Sequence, residues 1–148
     1  MISRTTNTSM NIVPNNISSV ITAINKELKH LAEFEDVHAT ILFRLDGQVL
    51  KSRYCKDGSH NFLMIMSWVK NIILKTTEEL RRGSRSIKYN KEIGPMKRIP
   101  VYFYRTGNSS ILVTLLHSKA NTGLMEIEMS RSSRRLGMII DKKASLGD

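Results

Sequence analysis

The chain has one cysteine, Cys55, among 148 residues, which excludes an internal disulfide and either fits a reducing compartment or says nothing about it. Long hydrophobic runs are absent: none approaches the roughly 20 consecutive apolar residues that cross a bilayer. The first residues are Thr-, Asn- and Ser-rich and lack the apolar stretch of a secretory signal, so the reading is a soluble, cytoplasmic protein. Glycine is sparse and scattered, marking turns, and no P-loop or dinucleotide pattern occurs. No two carboxylates share a predicted face with apolar surroundings, which leaves general acid–base catalysis without candidates. Acids are also few, 13 against 23 Lys and Arg, for a net charge of +10. The expectation is a protein that is not an enzyme, with no catalytic residues, no cofactor and no metal.

Histidine offers little more. His30, His38, His60 and His117 fall on a helix, a strand, a loop and a strand. His38 and His117 would approach each other in the sheet expected below, but two ligands without a nearby carboxylate or thiol do not make a metal site. Cys55 with a histidine has no third group to orient it as a nucleophilic pair.

What is present is a clear succession of periods. Residues 1–17 read as a disordered polar tail, 18–141 as the folded domain and 142–148 as a short C-terminal tail. Ser18 or Ser19 can cap a first helix, on which Ile17, Ile21, Ile24, Leu28 and Leu31 recur at spacings of four and three. From Val37 to Arg44 the period drops to two, with Val37, Ala39, Ile41 and Phe43 on one face, which predicts a strand. Asp46-Gly47 suits a type I′ turn, and Gln48 to Arg53 returns as the second strand.

A second helix is predicted over residues 59–81, ending near Gly83. Between Phe62 and Leu74, ten of thirteen residues are apolar: Phe62, Leu63, Met64, Ile65, Met66, Trp68, Val69, Ile72, Ile73 and Leu74. They cover most of the helix circumference, so the helix needs burial on two sides, one against its own sheet and one against a partner. Trp68 serves equally as core filler or as interface anchor, since Trp is enriched among interface hot spots.

Three strands follow. Arg85 to Ile93 alternates Ile87 and Tyr89 with basic residues. Arg98 to Arg105 contains Pro100, which implies an edge, a bulge or a later strand start. Ser110 to His117 is apolar on both faces and so belongs in the middle of a sheet covered above and below. A last helix, Leu124 to Asp141, buries Met125, Met129, Leu136 and Ile140. The fold class is α+β, a layered α-β-α domain around one antiparallel sheet.

Three local motifs and the order of elements resemble the roadblock (dynein light-chain type) family. Leu45-Asp46-Gly47 is similar to the turn of that family's first hairpin. Ser110-Ile-Leu-Val-Thr-Leu-Leu-His117 is similar to its buried last strand, and Ala120-Asn121-Thr122-Gly123-Leu124 resembles its entry to the final helix. The resemblance spans about residues 18–141. It implies a five-stranded sheet in the order 2-1-5-4-3, with the first and last helices on one face and the middle helix on the other. It further implies a homodimer formed through the third strand and middle helix, and a role in small Ras-like GTPase regulation. The chain departs from the family in its polar N-terminal segment, its basic third strand and Pro100.

Combining residues and resemblance, the expected dimer or partner interface comprises Phe62, Met64, Ile65, Met66, Trp68, Val69, Ile72, Ile73, Ile87 and Tyr89. Arg85, Lys88 and Lys91 are the expected electrostatic contacts. They belong to a run, Arg81 to Arg105, with eight basic residues and one acid, Glu92. The expected function is a non-catalytic dimeric scaffold for a small Ras-like GTPase. The alternative is a basic adaptor for nucleic acid or an anionic membrane, since Tyr89, Tyr102 and Tyr104 lie near Lys88, Lys91 and Arg105.

Overall fold

The computed structural model describes the backbone of residues 12–54, 60–94 and 97–147, and the side chains within these ranges other than 12–17, 54, 60–63, 93–94, 97 and 142–147. Cys55 and the predicted start of the second helix at residue 59 lie outside the described residues. The elements are α1 (Ile12–Ala32), β1 (Val37–Arg44), β2 (Val49–Tyr54), α2 (His60–Arg81), β3 (Ser86–Gly94), β4 (Lys97–Thr106), β5 (Ser110–Leu116) and α3 (Thr122–Gly147). The strands form one antiparallel sheet in the order β2-β1-β5-β4-β3. Helix α1 begins before the Ser18–Ser19 start read from the sequence and includes Pro14 in its first turn, where proline's missing N–H removes no helical bond.

The largely apolar β5 sits at the centre, and every one of its residues is buried, Ser110 and Thr114 included. Its alternating side chains feed two cores. Ile111, Val113 and Leu115 join Ala39, Ile41, Phe43, Val101 and Phe103 beneath Ile65, Val69, Ile73 and Leu80 of α2. Leu112 and Leu116 face the opposite way, into a layer with Leu28 and Leu31 of α1 and Met125, Met129 and Leu136 of α3. One helix therefore covers one face and two cover the other. A sheet buried on both sides is what a doubly apolar strand requires.

Val37 departs from the alternation. The pairing of β1 with β5 slips between Val37 and Ala39, so one extra residue, His38, is accommodated there. The bulge turns Val37 to the α1/α3 side, while Ala39, Ile41 and Phe43 keep to the α2 side. Pro100 is also explained. Strand β5 pairs with β4 only from Val101 onward, so Pro100 lies in the stretch of β4 whose sole paired neighbour is β3.

The first hairpin turns over three residues rather than two. The Gly47 N–H donates to the Arg44 carbonyl at 2.9 Å, the Arg44 N–H to the Gln48 carbonyl at 2.8 Å, and Gly47 takes φ +93. Asp46 accepts the Gln48 N–H at 3.1 Å and pairs with Arg44, which holds its carboxyl below the usual range. The entry to α3 is equally well defined. The Asn121 side chain accepts the Leu124 N–H at 3.1 Å, capping the helix, while the Asn121 N–H donates to Asp36 at 2.6 Å. Asp36 also accepts the His117 N–H on its backbone carbonyl. The Ala-Asn-x-Gly-Leu motif is thus a helix cap tied to the loop before β1.

Candidate functional site on the flank of α2 and the edge of β3

Strand β3 ends the sheet, pairing only with β4. Helix α2 runs beside it. Met64, Trp68 and Ile72 recur every four residues and so share one flank of the helix. The Trp68 ring meets Tyr89 edge-on at 5.5 Å and Phe103 at 6.4 Å, which places this flank over β3. Tyr89 and Phe103 in turn stand edge to face at 5.5 Å. Such T-shaped contacts add about 0.5–1.5 kcal/mol each beyond burial. The aromatic trio locks the edge strand to the helix.

The expected interface residues divide by depth. Ile65, Val69 and Ile73 are buried against the sheet, and their role is to seat α2. Met66, Trp68, Ile72, Ile87 and Tyr89 pack on the core but remain partly open. Met64 is 45% exposed, and Leu74, further round the helix, is 62% exposed. Phe62 lies outside the described side chains. Met64, Trp68 and Ile72 thus share the flank of α2 and Ile87 and Tyr89 the α2 face of the edge strand, with Trp68 against Tyr89 as the contact between them.

The charged residues frame that flank and edge. Lys91 lies on the α2 face, its ammonium 5.2 Å from the Trp68 ring centroid. Lys88 lies on the other face, 5.6 Å from the Tyr102 ring. Arg85 is exposed just before β3. Among the described residues, neither these three nor Arg105 and Arg134 form an ion pair with a carboxylate. The edge is therefore apolar and uncompensated positive at once.

Elsewhere the chemistry is sparse. The His38 and His117 rings do meet, edge-on at 5.1 Å. Among the described residues no group of three or more His, Cys, Asp or Glu gathers as a metal site would require. No described helix is long and apolar enough to cross a membrane. Gly123 sits in the first turn of α3, whose cap is Asn121. Tyr102 and Tyr104 are buried, and their hydroxyls donate to the Glu126 carboxylate at 3.2 Å and the Glu126 carbonyl at 3.4 Å. Burial, followed by the Glu126 charge, pushes each phenol up to about 12. Sequence reading missed the role of Lys91 and Lys88 as ring-capping cations, because strand register decides which ring each lysine reaches.

Comparison with known proteins agrees with this architecture. The model of the AF0774-like protein family matches residues 21–130. No curated protein matches. Among solved structures, the gliding protein MglB from Thermus thermophilus superposes with a TM-score of 0.60 at 15% identity, covering 93% of this chain and 99% of that one. MglC from Myxococcus xanthus gives 0.64 at 13% identity, with 78% and 97% covered. A Roadblock/LC7 domain from Streptomyces avermitilis gives 0.51 at 11% identity, with 74% and 90% covered. At such identities the likeness is one of fold, and the fold is roadblock-like.

Proposed function

This chain belongs to the AF0774-like protein family, and we propose that it acts as a non-catalytic homodimeric scaffold that binds and regulates a small Ras-like GTPase. The observation that carries the proposal is the apolar margin of Met64, Trp68, Ile72, Ile87 and Tyr89 along an unpaired strand edge. An open edge beside exposed apolar side chains invites strand addition. A second copy can supply the missing strand by two-fold pairing of β3 with β3, extending the sheet and covering the α2 flank. The roadblock resemblance supports the same arrangement. The surrounding cations, Arg85, Lys88 and Lys91, suit a partner with an acidic face and would chiefly speed its association.

The basic-adaptor reading is weaker on one count. Single-stranded nucleic acid wants exposed aromatic platforms between the cations. Tyr102 and Tyr104 are buried, and Tyr89 is half-covered against Trp68. The cations are available, but the stacking surfaces are not.

The test is to immobilise the full chain and pass over it the small Ras-like GTPases of the same cells, each loaded with GDP or a non-hydrolysable GTP analogue. Saturable binding that depends on the nucleotide supports the proposal. Absence of binding by every GTPase, with the scaffold dimeric throughout, overturns its GTPase half.

A further inference from the structure

At the end of the sheet where α2 leads into β3 and β4 turns into β5 lies a cleft of about 680 Å³. One wall is the end of α2 and the segment leading into β3, and the other is the C-terminal half of α3. Arg85, Arg105 and Arg134 line it, against a single acid, Asp141. Three residues far apart in sequence are brought to one concave surface by the hairpin of β3 with β4 and by the return of α3. We propose that this cleft binds the phosphate group of a phosphorylated ligand.

Four observations support the assignment. First, the charge is unspent: among the described residues none of the three guanidiniums pairs with a carboxylate. Second, one of them is oriented in advance. Arg105 donates from Nε to the Gly107 carbonyl at 3.2 Å, leaving its two terminal nitrogens for a ligand. A guanidinium held in place loses less entropy on gripping a phosphate, and its planar fork matches two phosphate oxygens.

Third, Asp141 is already engaged. Its carboxylate accepts the Asn108 N–H at 3.2 Å and covers Gly107, where an added Cβ would stand 2.7 Å from Oδ1. It is held against the β4–β5 turn and makes no ion pair with the arginines. Fourth, the wall is rigid. Gly137 of α3 packs so closely on the turn that a Cβ there would come within 2.7 Å of the Gly107 nitrogen. That seating sets where the helix presents Arg134, one turn earlier. The Ser133 hydroxyl donates to the Ser130 carbonyl at 3.0 Å, so the side-chain donors remaining in the cleft are the guanidiniums and the Ser84 and Ser130 hydroxyls. Exposed Met138 at the rim offers apolar contact to the body of such a ligand.

The site shares only Arg85 with the partner-docking reading, so its test uses the other two arginines. The protein is titrated calorimetrically with inorganic pyrophosphate, and separately with phosphatidylcholine vesicles with or without a phosphatidylinositol phosphate. Wild type is compared with Arg134→Gln, Arg105→Gln and Lys51→Gln, the last removing one charge from the distant strand β2, and melting temperatures verify folding. The expected result is saturable pyrophosphate binding, weakened about tenfold or more by either arginine change and unchanged by Lys51→Gln. Vesicle binding that needs the phosphorylated lipid and is lost with the same two changes also supports the site and identifies the phosphate as a headgroup. No saturable binding of either probe, or equal weakening by Lys51→Gln, overturns the proposal.

Discussion

The ammonium of Lys91 rests 5.2 Å from the centroid of the Trp68 ring, coupling the edge strand β3 to the flank of α2. This pair makes Lys91 unlike its neighbour Arg85, for which no cation–ring contact is found among the described residues. Cation–π contact at an exposed site is worth about 0.5–1 kcal/mol. Changing Lys91 to glutamine should therefore lower the melting temperature slightly and shift the emission of Trp68, the only tryptophan. Changing Arg85 alone should do neither.

The three cations together act mainly at a distance. The triple change of Arg85, Lys88 and Lys91 to glutamine is expected to cost about 1 kcal/mol of stability, since the two ring contacts are lost while mutual repulsion is relieved. It should slow association with an acidic partner and flatten that association's dependence on salt. Stopped-flow mixing across a salt series, alongside thermal melts, measures both effects. A large loss of stability with unchanged association would refute this division of labour.

Trp68→Ala removes the centre of an aromatic trio with Tyr89 and Phe103. Because the ring is partly open, the expected cost in the folded chain is about 2–4 kcal/mol, toward the lower end for a buried Trp. Denaturant unfolding gives the figure. A change below about 0.5 kcal/mol would assign Trp68 to the interface alone.

Much of the architecture was legible in the residues, for physical reasons. Ser110–Leu116 is apolar on both faces and could sit nowhere but mid-sheet, and β5 does. The period of two in Val37–Arg44 marked β1 to its ends. Two features were hidden. The bulge at His38 that turns Val37 to the other face depends on pairing with β5, and nothing local signals it. The cleft joining Arg85, Arg105 and Arg134 arises from tertiary assembly of residues some fifty positions apart. At the candidate interface, periodicity identified α2 as overloaded with apolar residues. It did not separate Ile65, Val69 and Ile73, which face the sheet, from Met64, Trp68 and Ile72, which border the edge.

Gly137→Ala should destabilise the protein by about 1–3 kcal/mol, as overpacking does. The reason is backbone rather than side chain: the new Cβ would meet the Gly107 nitrogen at 2.7 Å, so helix and turn must separate. A melting temperature equal to wild type would show that α3 is not seated on the turn in this way.

Alkaline titration offers an independent check of the α3 layer. Tyr102 and Tyr104 have folded values raised to about 12, above the ordinary 10.0, by burial and then by Glu126. A raised value means that the folded state holds the proton more tightly than the unfolded chain. The stability these groups contribute is fully present below about pH 10 and is lost as pH rises toward about 12. Ultraviolet absorbance of phenolate should show Tyr102 and Tyr104 ionising late, and Glu126→Gln should bring them earlier. Ordinary titration of these two would contradict the packing.

Light scattering of the protein at micromolar concentration decides whether the β3 edge and α2 flank join two copies of the chain. Wild type is expected as a particle of about twice 16.9 kDa. Added salt, by screening the cations on paired β3 strands, should tighten the dimer. Met64→Glu, at a position 45% exposed and so harmless to the fold, should return the mass to 16.9 kDa with little change in melting temperature. A wild-type chain that runs as a clean 16.9 kDa monomer, free of aggregation, would mean that this edge does not pair.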